Sequence, residues 1–167
     1  MNQTHIHLLL NHVAILGSIF SILLLLSGLF FSSDILKKAA MVGLFLAALV
    51  AIPVFLTGEP AEESVEKIAG TVKSTIEEHE ESADVSIWLV EIMGAVSLLT
   101  FLLAHKSNSI NKGLLLFLLI LSLVAAGSIS YTGYLGGKIR HTELSGQIGQ
   151  TANPAGQGAE SDEKDDD

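Results

Sequence analysis

The chain has 167 residues, only 16% of them charged, a net charge of −9 and no cysteine, whereas about a quarter of the residues of a soluble domain are charged. Without cysteine there can be no disulfide, thiolate zinc site, iron–sulfur cluster or covalently attached haem, so any cofactor has to be held by histidine, carboxylate or packing. The acidity argues against nucleic acid as a partner, which calls for clustered Lys and Arg.

Four apolar runs, 8–31, 39–56, 85–104 and 113–134, are each 18 to 24 residues long. A helix rising about 1.5 Å per residue needs about 20 residues to cross the hydrocarbon of a bilayer. The sequence therefore predicts an all-α, integral-membrane four-helix bundle. The first run has no basic flank before it and ends in Phe30-Phe31-Ser32-Ser33 without a small-x-small cleavage site, so it reads as a retained span rather than a signal peptide.

The joint 32–38 carries Lys37 and Lys38 against Asp34, and the joint 105–112 carries Lys106 and Lys112 with no acid. Both read as cytoplasmic by the excess of basic residues. Both termini and the 58–84 loop are then expected on the opposite, periplasmic side of a bacterial inner membrane. In that loop Gly58-Glu59-Pro60, followed by Glu62, Glu63 and Glu66, suits a helix start. Val65, Ile68, Val72 and Ile76 follow at three- and four-residue steps. An amphipathic helix over 59–82, interruptible at Gly70, is predicted to lie across the mouth of the bundle with His79 facing inward. From 145 to 167 the composition turns to Gly, Gln, Ala and then Glu and Asp, which predicts a disordered acidic tail.

Five of the six histidines, His5, His7, His12, His79 and His141, fall at the outer ends of the spans, and only His105 falls at the inner end. Side chains projecting inward from different helices make the usual cofactor sites of bundles, and imidazole ligates haem iron, zinc or copper. His5 and His12, seven apart, share a face, while His7 and Asn11 occupy a neighbouring stripe. Two opposed imidazoles suit haem b, and His12, the deepest, is expected to pair with His79 or His141. His12 and His79 are the candidates for a metal. For any single histidine, simple anchoring of a helix end at the interface is the commoner explanation, and it is the convergence of several from three segments that favours ligation.

Glu91 is the one acidic residue inside a span and shares a face with Glu80 and Asp84. A carboxyl group at that depth is costly unless it serves a polar interior, so Glu91 and Glu80, with Tyr131, are candidates for proton relay or for supporting a histidine. Gly133 and Gly137 form a small-xxx-small pair for close helix packing, and Tyr131 and Tyr134 suit the interfacial aromatic belt. Lys138 and Arg140 are placed to meet lipid phosphate or a haem propionate. The nine carboxylates of 59–84 lack EF-hand spacing, and no Walker loop, dinucleotide fingerprint, zincin motif or nucleophile elbow occurs. Independent enzymatic activity is not expected.

Taken together, His7-Leu8-Leu9-Leu10-Asn11-His12, the Gly58–Glu63 loop, His79-Glu80 and Gly133-Tyr134-Leu135-Gly136-Gly137 resemble the uncharacterised bacterial four-span membrane family called DUF2231. The resemblance covers about residues 5 to 141 and implies that His7, His12, His79 and His141 are its carried-over positions. The expected function is haem b binding and electron transfer between the membrane pool and a periplasmic or membrane redox partner. Two other readings stand beside it: a non-catalytic subunit or scaffold of a larger complex or oligomer, and ion or proton transport through Glu91.

Overall fold

The computed structural model describes residues 3–61, 73–107 and 109–140. It contains four long helices, α1 (Gln3–Phe30), α2 (Asp34–Leu56), α3 (Lys73–Ser107) and α4 (Lys112–Arg140), and the described residues include no strand. All four are long and apolar enough to cross a membrane. The expected all-α four-helix bundle is the observed fold.

Consecutive helices run antiparallel, and α1 also packs on α4, which closes the ring. The joint between α1 and α2 is short because Ser32 adopts a left-handed backbone (φ 53°). Its N–H donates to Leu29 O, and the N–H of Ser33 to Gly28 O, the pattern of a Schellman helix end. Ser33 then caps α2 by accepting from the N–H of Leu36. At the joint between α3 and α4 the Asn111 side chain accepts from the N–H of Leu114 at the start of α4.

Leu25, Met41, Leu44, Met93, Leu115 and Leu118 are fully buried between the helices. Small residues set the spacing of neighbouring helices: Gly94 of α3 lies against Ala48 of α2, and Gly43 of α2 against the Ser21 hydroxyl of α1. Ser97 of α3 donates to Met41 O of α2 at 2.8 Å. Leu16, Phe20, Leu23, Trp88 and Phe117 are exposed on the outside of the bundle, the arrangement that suits a surface solvated by lipid tails.

One expectation about the 58–84 loop changes. Helix α3 is one 35-residue helix from Lys73 to Ser107, so 73–82 continues the third helix beyond its apolar run 85–104 instead of forming a separate helix across the mouth. Its continuity follows from a stretch free of Gly and Pro between Lys73 and Met93. Residues 62–72, with Val65, Ile68, Gly70 and Val72, and residues 141–167, with His141 and the acidic tail, lie outside the described residues.

Candidate functional site

Antiparallel order brings the start of α1, the end of α2, the start of α3 and the end of α4 to one end of the bundle. A cavity of about 380 Å³ opens there. Its apolar walls include Ala14, Ile15, Ala51, Ile87, Val90 and Ile129. Its polar lining comprises His7, Asn11, His79, Ser86 and Thr132, with the carboxylates Glu59, Glu80 and Asp84.

His79 is 7% exposed. Its Nδ1–H donates to the main-chain oxygen of Thr132 on α4 at 2.9 Å. On the opposite pair of helices, His7 Nδ1–H donates to Val54 O of α2 at 2.9 Å, with the Thr57 hydroxyl 3.3 Å away. A nitrogen facing a carbonyl oxygen must carry the hydrogen, so in each neutral ring Nε2 holds the lone pair. This is the arrangement that orients ligating histidines, in which one ring nitrogen is anchored and the other is basic. His79 precedes the apolar stretch 85–104 by nearly two turns, among Glu77, Glu78, Glu80 and Glu81. Burial holds its pKa below the usual histidine value, the Thr132 carbonyl opposes that shift, and the smaller effects of His7 and Glu80 lower and raise it respectively.

Glycine completes the seat of His79. A Cβ at Gly136 would lie 3.1 Å from His79 Cε1, inside ordinary contact. Below it, hydroxyls join α3 to α4. Thr132 Oγ1 lies 2.6 Å from Ser82 Oγ and 2.8 Å from Ser86 Oγ, and Ser86 Oγ lies 2.6 Å from Ser128 Oγ.

The other predicted positions separate from this group. His12, expected to pair with His79, is exposed, does not line the cavity, and is turned back on its own helix, where Nδ1 meets Leu8 O. The reason is angular: His7 and Asn11 are four apart and share the inward stripe, and His12 is rotated about 100° from Asn11. Glu80 lines the cavity. Glu91 does not, and its buried Oε1 has no hydrogen-bond partner among the described residues. Tyr131 is exposed beside Tyr134, whose ring carries Lys138 Nζ 4.9 Å from its centroid. That places Tyr131 outside any relay into the cavity and commits Lys138 to the outer surface. A Cβ at Gly133 would lie 3.1 Å from Ile15 Cδ1 of α1, so this glycine faces the neighbouring helix, whereas one at Gly137 would meet none of the described residues within 4 Å.

Asn11, Glu59, Asp84, Ser86, Thr132 and Gly136 join the site without having been singled out as candidates from the sequence. The four-residue steps Ser82–Ser86 and Ser128–Thr132–Gly136 were the available signal. Among the described residues no three His, Asp or Glu side chains converge as the ligands of a metal ion. Comparisons with protein-family models, with curated proteins and with solved structures found no match.

Proposed function

We propose that the protein is a multi-pass membrane component of an electron-transfer chain, without enzymatic activity of its own, that holds a flat redox-active group at the mouth between His7 and His79. The observation that carries this reading is the anchoring of both imidazoles, through Nδ1, on main-chain carbonyls of neighbouring helices. Each ring is thereby held in a fixed orientation, in a cavity with apolar walls. Haem b is one group of this kind, and His7 and His79, rather than His12, would hold it. Bound there it would supply one-electron chemistry.

Location in a bacterial inner membrane with periplasmic termini belongs to the same proposal, and the basic inner joints support it. So does kinship with the DUF2231 family, which rests on the histidine and glycine positions already given. Optical spectra of the purified protein, oxidised and reduced, test the haem form: a Soret band lost in both His7→Ala and His79→Ala supports it. A band retained in both variants places the haem elsewhere and overturns it.

The scaffold reading has its own support, because the same two histidine bonds tie α1 to α2 and α3 to α4. It predicts that His7→Ala and His79→Ala lower stability while co-purification with a larger complex and full function persist.

A further inference from the structure

The end of the bundle opposite the mouth is built from the joint between α1 and α2 and the joint between α3 and α4. Residues 28–40 and 100–118, which make up that end, contain four lysines, Lys37, Lys38, Lys106 and Lys112, and a single acid, Asp34. Asp34 is already committed, pairing with Lys37 at 2.9 Å. The stem of Lys37 lies across Gly28 of α1, where a Cβ would stand 2.9 Å from Lys37 Cγ, and its side chain is only 14% exposed. Lys37 is therefore part of the packing of α2 on α1. Lys38, Lys106 and Lys112 have neither an ion pair nor a side-chain hydrogen bond among the described residues.

The depth of these three is set by the chain. Lys38 immediately precedes the apolar run 39–56, Lys106 follows the run 85–104 by two residues, and Lys112 immediately precedes the run 113–134. With those runs in hydrocarbon, three ammonium groups on three helices stand at the headgroup level of one leaflet. Apolar side chains hold that level. Phe30 and Phe31, in edge-to-face contact at 4.9 Å, and Ile35 are 82%, 69% and 81% exposed, and such side chains settle at the boundary of headgroups and tails. Over 58–84, toward the other end, the balance is reversed, with nine carboxylates against Lys67 and Lys73.

We propose that the basic end of the bundle binds anionic phospholipid, with Lys38, Lys106 and Lys112 meeting headgroup phosphates and Lys37 taking no part. The inference is independent of what the mouth holds. Charge complementarity carries it: three of the four lysines have no counter-charge, the one acid at that end is already paired, and the anion that a bilayer presents at that depth is lipid phosphate. A zwitterionic headgroup brings an ammonium group with its phosphate, which offsets the attraction, whereas phosphatidylglycerol brings net negative charge. Each lysine near an anionic surface contributes on the order of a fivefold preference, and salt reduces it because exposed charges are screened.

The test is the association of spin-labelled phosphatidylglycerol and phosphatidylcholine with the full chain in phosphatidylcholine bilayers, read by electron paramagnetic resonance. Phosphatidylglycerol is expected to associate about fivefold or more strongly, and the preference should shrink as sodium chloride rises from about 0.01 M to about 1 M. Combining Lys38→Gln, Lys106→Gln and Lys112→Gln should bring the two lipids close to parity. Arginine at the same three positions should retain the preference, and Lys37→Gln should retain it while lowering thermal stability. Equal association of the two lipids with the unaltered chain overturns the proposal, as does a preference that survives the triple glutamine change or is lost through Lys37→Gln alone. Inorganic phosphate added at constant ionic strength should leave the bound lipid in place. Selective displacement by it assigns the lysines to the free anion and equally overturns the proposal.

Discussion

Thr132 meets His79 with its main chain and the neighbouring serines with its side chain: its carbonyl oxygen accepts from His79 Nδ1 at 2.9 Å, and its hydroxyl is shared with Ser82 and Ser86 at 2.6 and 2.8 Å. One residue of α4 thus orients the imidazole and fastens the helix that carries it. Thr132→Val removes only the hydroxyl. It should weaken the α3–α4 contact by about 1 kcal/mol, within the range of interhelical hydrogen bonds in membranes, and leave ligand binding at His79 intact. Reversible unfolding in mixed micelles measures the first, and the optical spectrum of the protein with added haem the second.

Gly136 and Gly137 are adjacent glycines with different surroundings. A methyl group at Gly136 would press on His79 Cε1 at 3.1 Å, whereas at Gly137 it would meet none of the described residues within 4 Å. Gly136→Ala is therefore expected to displace the imidazole and lower ligand affinity several-fold. Gly137→Ala should leave affinity unchanged and slightly favour the helix, since alanine is the better helix former by up to about 1 kcal/mol. Equal effects of the two substitutions would show that His79 is not seated as described.

The pH dependence of stability follows from the burial of His79. Its pKa in the folded protein lies below the ordinary value of 6.5, chiefly because burial disfavours the charged ring. The unfolded chain therefore takes up the proton first as pH falls. The stability contributed by the neutral ring is full above about pH 6.5 and is lost as the pH drops through that value toward the lower native pKa. His79→Gln should flatten the profile between about pH 7 and pH 5, as read by thermal unfolding at a series of pH values.

Glu91 presents a buried carboxyl oxygen with no hydrogen-bond partner among the described residues. Such an atom destabilises by about 1–3 kcal/mol, so Glu91→Leu should raise the unfolding free energy by on the order of 1 kcal/mol. If the carboxyl group serves proton movement, Glu91→Gln will in addition abolish flux in proteoliposomes. Unchanged flux removes the transport reading.

The sequence carried the architecture because run length and apolarity are one-dimensional properties: four runs of 18 to 24 residues became four helices, and the basic joints became the short connections between α1 and α2 and between α3 and α4. That the helix ends bearing His7, His12 and His79 meet at one end of the bundle follows from the antiparallel order of the helices alone. Which histidine points inward is a matter of helix rotation. His7 and His12 are both near the start of α1, and depth favoured His12, whereas the four-residue partnership of His7 with Asn11 decided the cavity. Thr132 escaped notice because its most informative contact is through the main chain, and a carbonyl oxygen carries no residue signature. Gly136 was hidden for a related reason: a small-xxx-small reading selects Gly133 and Gly137, while the glycine between them touches the imidazole.

The absence of cysteine from the chain makes paired cysteine substitution the most direct measurement of whether His7 and His79 border one compartment. His7→Cys with His79→Cys, and His12→Cys with His79→Cys, would be treated with a short bifunctional maleimide in intact membranes and the cross-link read by mass spectrometry. Efficient linkage of 7 to 79 and little of 12 to 79 is predicted. Preferential linkage of 12 to 79, or none for 7 to 79 with both thiols reactive singly, would contradict the account.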